Sequence, residues 1–324
     1  MTNLKAAQHH WWPRCVSRHW VDSDGKVGRI EPGGRVIRVT PHKLGSIGNG
    51  HHGKLSNKAG FNTTAWDFTF EQEFANADGR FTDVISWLSS LKHAPSVGNA
   101  VGDRFRAQPA TDDLLRALTE CVISLVIRSP MNRDAFASLP ERFGLPTTNA
   151  ERNAVVSMNM RGKQRTISDS IGARGKFAVL FSGSREFIYG DGCFNNLDGA
   201  VDPPHYPKLL VPVTPEIAVI VCRPLSYLVE PRLSSIVLAD EETEYCNHAI
   251  QVYSRHEMFF RSQPPHLDSA FTSHERRRYA RADNPVDQLM EAIPGIPSRD
   301  KSLDFLLWND ERASHNRTRL EERK

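Results

Sequence analysis

The stretch FAVLFSGSREFIYGDG, residues 177–192, separates a helical half of the chain from a half rich in strands. Its two apolar runs are short, contain β-branched and aromatic side chains, and are broken by Ser, Gly and Asp, which is the pattern of strands joined by turns. KLLVPV at 208–213 and IAVIVCR at 217–223 continue that pattern. We therefore expect a sheet that begins at about residue 176.

On the N-terminal side of that stretch, apolar residues recur at helical spacing. The sequence DDLLRALTECVISLVIR, residues 112–128, is apolar on nearly every side and starts with acids, so it predicts a buried helix. Residues 66–91 predict one or two helices, with Gly79 as a possible break, and residues 149–170 predict another. After the strands, the acidic start of residues 240–255 predicts a helix, followed by the short strand MFFR.

Near the N-terminus, GKVGRI and RVIRVT flank a Glu-Pro-Gly-Gly turn and predict a β-hairpin. The predicted fold class is α+β, with a helical N-terminal half that contains this hairpin, then a small mixed sheet with one packed helix, and a polar tail. We expect four parts: a basic His/Trp-rich segment with the hairpin at 1–60, a helical region at 61–170, the mixed sheet plus helix at 171–261, and a polar tail, largely disordered or loosely docked, at 262–324.

Composition excludes several protein classes. With 324 residues, of which 39% are apolar, the chain is neither a small scaffold nor a disordered protein. No stretch approaches the roughly 20 apolar residues of a membrane helix, and the start MTNLKAAQHHWWPR lacks a secretory signal, so we expect a soluble, cytoplasmic protein without a membrane partner. The five cysteines are widely spaced and odd in number, which argues against a disulfide framework.

Positive charge is concentrated at the N-terminus. Residues 1–60 hold ten Lys and Arg against three Asp and Glu, a local net charge of +7, whereas the whole chain carries +3. This segment could bind a polyanion through phosphate contacts from Arg14 and through stacking on Trp11, so nucleic acid is the expected partner. A solvated basic hairpin explains the same charge.

The adjacent pair His9-His10 is the first candidate site. Neighbouring residues on a strand point to opposite faces, so at most one of the two binds a given metal ion while the other orients or packs. His19, His51 and His52 add imidazoles nearby in sequence, but no common zinc spacing such as HExxH is present. Structural or solvated histidines are the alternative.

Two further candidates lie in the strand-rich half. Asp191 stands between two glycines at the end of the strand FIYG, a position from which a carboxylate can approach a metal ion or a substrate. An Asp-Gly turn is the alternative interpretation. Asn247 lies on the acidic helix and either contacts a ligand or caps neighbouring backbone groups.

Five segments, in order, resemble the bacterial family called domain of unknown function 4238: HHWWPRCVSRHWVDSDGKVGRI, CVISLVIRSPMNRDAF, FAVLFSGSREFIYGDG, LVPVTPEIAVIVC and YCNHAIQVYSRHEMFF. The family's motifs fall on His9, His10 and Pro13, on Arg128-Ser129-Pro130, on residues 189–192 and 212–215, and on Asn247. Gly192-Cys193 stands where the family has Asn-Pro, and Trp11 and Trp12 are also atypical of it. The family has no established activity, so the resemblance implies which residues converge and names no reaction.

The resemblance implies that residues of four separate elements converge in one pocket. Our sharper hypothesis is a metal-dependent phosphodiesterase or nuclease that uses Mg²⁺ or Mn²⁺ and belongs to bacterial defence or to a toxin system. Its predicted residues are Asp191 as metal ligand, His10 as ligand or general base, Arg128 for phosphate charge, Asn247 to orient substrate, and His9, Arg14 and Trp11 as further binding residues. The competing hypothesis is a non-catalytic module that binds nucleic acid or a partner protein and in which His10 and Asp191 are structural.

Overall fold

The fold is a mixed α+β structure, as predicted. The computed structural model describes residues 7–53, 68–93, 101–145, 147–197, 207–223, 230–272 and 285–294. Within these ranges, no helix is both long enough and apolar enough to cross a lipid bilayer.

Helices dominate the first half of the described chain. In chain order they are α1 Arg14–Ser17, α2 Gln72–Ser90, α3 Val101–Arg104, α4 Asp112–Arg128, α5 Pro130–Ala137, α6 Leu139–Arg142, α7 Asn149–Ile171, α8 Asp240–Tyr253, α9 Ser269–Thr272 and α10 Pro285–Glu291. The predicted boundaries of α4 are confirmed at both ends, and the side chain of Thr111 caps its first turn by accepting a hydrogen bond from the amide of Leu114. Helix α2 is continuous through Gly79.

The strands are short. In chain order they are β1 Gln8–His10, β2 Val27–Ile30, β3 Val36–Val39, β4 Ser46–Gly48, β5 His52–Gly53, β6 Phe68–Thr69, β7 Arg106–Gln108, β8 Lys176–Phe181, β9 Tyr189–Gly190, β10 Phe194–Asn195, β11 Lys208–Thr214, β12 Ile217–Cys222, β13 Leu233–Val237 and β14 Met258–Phe260. The apolar runs after residue 176 all form strands, and strand β13 is one that the sequence did not predict.

A six-stranded mixed sheet forms the centre of the molecule, in the order β10-β11-β12-β8-β13-β7. Strands β8 and β13 are parallel and the other pairs are antiparallel. The edge strand β7 comes from the helical half of the chain, so the two halves share this sheet.

The predicted hairpin is confirmed and belongs to a second sheet, of four strands, in the order β3-β2-β14-β9. Strands β14 and β9 come from the strand-rich half, so this sheet also joins distant parts of the chain. Two small antiparallel pairs, β1 with β4 and β5 with β6, complete the N-terminal region.

The core is continuous. Helix α4 packs against α2, α7 and strand β11, and from Leu118 to Arg128 all its residues except Glu120 are buried. One cluster of buried apolar side chains extends from Trp11 to Ile293 and so includes residues from all four predicted parts of the chain.

Part of the predicted polar tail is folded. Helices α9 and α10 pack against α8, and Phe271, Val286 and Met290 are buried there. The prediction of a disordered or loosely docked tail is therefore wrong for residues 262–272 and 285–294. The rest of that tail, 273–284 and 295–324, lies outside the described residues.

Candidate metal centre

Among the described residues, one group of side chains is close enough to hold a metal ion together. Its members are His9, His51 and Glu71, and their ligand atoms all lie within 4.8 Å of one another. Both imidazoles are buried, whereas the side chain of Glu71 is 60% exposed. The group therefore opens to solvent on its carboxylate side.

His9 enters the group through strand β1. Strand β1 pairs with β4, where His9 lies opposite Ile47, and alternation along the strand turns His9 inward while Gln8 is exposed. Asn49 holds the start of β1, because its side chain accepts a hydrogen bond from the amide of Ala7 and its own amide donates to the carbonyl of Ala7.

His51 and Glu71 are brought together by the β5–β6 pair. The amide of Phe70 donates to the carbonyl of His51 over 2.9 Å, and the Thr69 hydroxyl donates to the same carbonyl over 3.3 Å. The amide of Glu71 in turn donates to the Thr69 hydroxyl. Glu71 thus stands immediately before helix α2, with its carboxylate at the histidines.

The imidazoles pack closely against one another. The ring of His9 lies 4.8 Å from that of His51 and 4.6 Å from that of His52, measured between centroids. Its Nε2 lies 3.7 Å from a carboxylate oxygen of Glu71. Rings of Phe70 and Phe74 cover the other sides of His51 at 5.6 and 5.0 Å.

Two buried nitrogens in this group have no hydrogen-bond partner in the part of the chain that the structure describes. They are the Nδ1 atoms of His9 and His51. A buried polar atom without a partner costs on the order of 1–3 kcal/mol, so such atoms are exceptions that need an explanation. A metal ion bound between these rings would engage one nitrogen of each imidazole, because a neutral imidazole binds an ion through one ring nitrogen.

The histidines are held in the neutral form that binds metal ions. Burial lowers the pKa of His51 to about 2, assisted by the positive charges of Arg128 and other neighbours. Burial also lowers the pKa of His9, and the carboxylate of Glu71 only partly opposes that shift. Burial likewise lowers the pKa of His52.

The donor set favours a transition metal ion. Two imidazoles and one carboxylate are the ligands of many catalytic zinc sites, which keep their fourth position for water or substrate. Imidazole suits Zn²⁺ better than Mg²⁺, which prefers oxygen ligands throughout. The residues present therefore fit an ion of the zinc type, with His9, His51 and Glu71 as ligands and the exposed side as the open position.

His10, the predicted ligand or base, lies beside this group and is not part of it. It is half-buried, and burial, with the nearby charge of Arg14, lowers its pKa. Arg14, predicted to bind, is exposed on α1. Of the His9-His10 pair, the residue in the ligand group is thus His9.

Arg128, predicted to stabilise phosphate charge, has its donors occupied. Two of its nitrogens donate to the carboxylate of Asp78 over 2.7 and 3.1 Å, and a third donates to the carbonyl of Ser124. The guanidinium packs 4.9 Å from the ring centroid of Phe74 and is 1% exposed. The positive charge of Arg128 helps to lower the pKa of His51, but no donor of Arg128 faces solvent.

Asp191 is a structural residue, contrary to its predicted role as metal ligand. Its carboxylate is fully buried, and its two oxygens accept the amides of Arg255 and His256 over 2.7 and 3.0 Å. It thereby closes the turn between α8 and β14. Burial raises its pKa to about 6.

Asn247 and Trp11 are also structural. The Asn247 amide accepts a hydrogen bond from the amide of Ile188 and donates one to the carbonyl of Glu186, so it clamps the segment before β9. Trp11 is 3% exposed and stacks in the core on Trp12. Neither is available to a ligand, and the polar groups of Arg128, Asp191 and Asn247 all bond within the protein, so these residues do not form the predicted ligand site.

Sequence reasoning missed Glu71 altogether and counted His51 and His52 only as nearby imidazoles. The available signal was the second histidine doublet in a Gly-rich loop, which together with the first doublet supplies four imidazoles. Nothing in the sequence around Glu71 distinguishes it from other acids at the start of a helix.

The chain matches no family model, and none of the curated proteins or solved structures compared with it is similar to it. The resemblance to domain of unknown function 4238 therefore stays a prediction.

Proposed function

We propose that this protein is a metal-dependent hydrolase of phosphodiesters and that His9, His51 and Glu71 hold its metal ion. The observation that carries the proposal is the convergence of their ligand atoms within 4.8 Å at a site with one exposed side. A metal ion bound there would lower the pKa of a bound water molecule and polarise a phosphoryl oxygen.

An anionic substrate is supported by the charges around the site. Arg128 and Arg133 both act on the pKa of His51, and Arg14 acts on that of His10. The carboxylates that act on the histidines of this region are Glu71 and Asp78. Because Asp78 pairs with Arg128, the positive charges of Arg14 and Arg133 face the carboxylate of Glu71, and a bound divalent ion would add positive charge that favours a phosphate group over a neutral substrate.

Other side chains near the metal ion have separate roles in the proposed reaction. Arg14 is the exposed cation and contacts a substrate phosphate, whereas Arg128 contributes only its positive field. His10 lies on the face of strand β1 opposite to His9, so the bound ion itself, and not His10, would activate the attacking water.

The test is cleavage of single- and double-stranded DNA and RNA, and of the chromogenic diester bis(p-nitrophenyl) phosphate, with Zn²⁺, Mn²⁺, Mg²⁺ or EDTA. We expect cleavage that EDTA abolishes and that Glu71→Gln lowers by about 100-fold or more, because even residues behind a ligand typically change metal affinity or activity by about 10–100-fold. Glu71 is exposed, so this variant should fold normally.

The matched control is Glu141→Gln, which neutralises another exposed glutamate that pairs only with Arg152 among the described residues. It should cleave like the wild type. His10→Ala should keep its bound metal ion, because His10 lies on the other face of β1 from His9. A folded wild-type protein that binds no metal ion and cleaves none of these substrates would refute the proposal. The non-catalytic binding module would then be the better hypothesis, although it lacks the stacking surface expected of Trp11.

A further inference from the structure

Arg133 lies on α5 and reaches the loop that carries His51. Its Nη1 donates a hydrogen bond to the carbonyl of Gly50, the residue immediately before His51. The same nitrogen lies 3.4 Å from the sulfur of Met160 on α7. One side chain therefore joins two helices to the histidine loop.

The loop itself is a tight turn. The amide of Gly50 donates to the carbonyl of Ile47 and the amide of His52 donates to that of Asn49, which has a left-handed φ of 54°. The Gly50 carbonyl and the His51 amide belong to one planar peptide group, so a hydrogen bond to that oxygen restrains the backbone of His51 directly. Arg133 supplies that bond from outside the turn.

Packing alone does not account for an arginine at this position. No ion pair between described residues includes Arg133, and the carboxylate of its neighbour Asp134 lies near Arg255 and His256 instead, at 3.6 and 3.3 Å. A largely buried cation without a carboxylate partner is costly. The planar guanidinium offers several donors in a fixed geometry, which a compact ammonium group does not.

We infer that Arg133 is a positioning residue of the metal centre, and that its hydrogen bond to Gly50 sets the place of His51 relative to His9 and Glu71. The inference rests on the metal site of the proposed function. It does not require that the bound ion cleaves a phosphodiester.

The experiment is a Co²⁺ titration of the full-length protein, followed by the visible absorption of the bound ion, which reports the number and geometry of its ligands. We compare the wild type with Arg133→Lys, which keeps the charge, and Arg133→Met, which keeps only an unbranched, uncharged stem. Arg133→Met loses the donor, so we expect it to bind Co²⁺ about 10–100-fold more weakly and with an altered spectrum, whereas Arg133→Lys keeps one donor on a shorter side chain and should weaken binding less.

Two controls isolate the hydrogen bond. Met160→Leu removes the sulfur contact but leaves the bond to Gly50, and it should keep the wild-type affinity and spectrum. Arg165→Met, which removes an exposed arginine paired with Glu73, should do the same. Thermal melts of the metal-free variants test whether they are folded. If Arg133→Met is not folded, Arg133→Lys alone is compared with the wild type.

Each outcome decides the inference. Wild-type affinity and spectrum in Arg133→Lys, with equal or tighter binding in Arg133→Met, would mean that Arg133 acts only through its charge and would overturn it. If the wild-type protein binds no Co²⁺, both the metal site and the role of Arg133 are refuted. A wild-type protein that binds Co²⁺ but cleaves nothing refutes the hydrolase and leaves the Arg133 comparison valid.

Discussion

His9 and His10 are adjacent in the chain but lie on different faces of strand β1. His9 turns inward to His51 and Glu71, whereas His10 remains half-buried beside Arg14. Strand alternation predicted that at most one of the pair binds a metal ion. Which one does so depends on the pairing of β1 with β4, a contact between segments about 40 residues apart in the sequence.

Asp191 is a second residue whose behaviour depends on burial, because a buried carboxyl group holds its proton more tightly than an exposed one. Its pKa is raised to about 6 from 3.8 because the group is buried, so between these values the folded state holds a proton that the unfolded state has released. The stabilising contribution of Asp191 is thus full below about pH 4 and is lost as the pH rises through about 6.

The stability contribution of Asp191 is measured as the free energy of unfolding of the wild type minus that of Asp191→Asn. We expect this difference to fall by on the order of 1–3 kcal/mol from pH 4 to pH 7. Urea denaturation at several pH values measures this difference. Asn has one acceptor oxygen for the two amides of Arg255 and His256, so the variant should also be less stable at low pH, by about 1–3 kcal/mol.

Asp240→Asn is the control of opposite sign. Hydrogen bonds from Ser184 and Arg185 lower the pKa of Asp240, so its contribution to stability is lost as the pH falls. The free energy of unfolding of the wild type minus that of Asp240→Asn should rise with pH. A difference for Asp191 that also rises with pH would contradict the structural role given to its carboxylate.

At the scale of the element, the four-stranded sheet depends on a close approach between β2 and β14. Gly28 lies opposite Phe260, and a Cβ added at Gly28 would come within 2.3 Å of the Phe260 ring. The ring is 1% exposed and carries the guanidinium of Arg38 on its face, so it has little room to move away. Glycine is therefore required at this position of the strand.

Gly28→Ala should destabilise the protein by about 1–3 kcal/mol, which is typical of an atom forced into a well-packed contact. Gly33→Ala is the matched control, because Gly33 lies in the turn of the same hairpin and has no atom within 4 Å of an added Cβ. It should be close to neutral. Equal midpoints of thermal unfolding for the two variants would contradict the tight β2–β14 contact.

At the scale of the whole molecule, the proposed metal centre joins three elements that are separate in the sequence. His9 lies on β1, His51 lies directly before β5, and Glu71 lies directly before α2. An unfolded chain does not hold three such residues together, so an ion that binds the folded state selectively raises its stability by mass action.

We expect Zn²⁺ at a free concentration about 100 times its Kd to stabilise the wild type by about 3 kcal/mol, seen as a rise in Tm that EDTA reverses. Glu71→Gln should show a smaller shift because one ligand is lost. Glu141→Gln should respond like the wild type. An equal rise in all three proteins would indicate that Zn²⁺ binds elsewhere.

Local sequence patterns predicted the α+β class, the principal helices, the hairpin and three of the six strands of the large sheet, β8, β11 and β12. The boundaries of α4 could be predicted because its apolar positions and its acidic first turn are local signals. Strand β13 was missed because its sequence, LSSIV, carries two serines, and these are buried only because β8 and β7 flank it.

The candidate metal centre, and the burial of the other predicted site residues, depend on contacts between segments distant in the sequence. His51 and Glu71 lie 20 positions apart, and the register of β5 with β6 brings them together without any motif in the sequence. The same long-range packing buried Asp191 and Trp11, which look accessible in their local sequence. Local patterns report the preferences of neighbouring residues, whereas a site depends on distant segments whose pairing they do not encode.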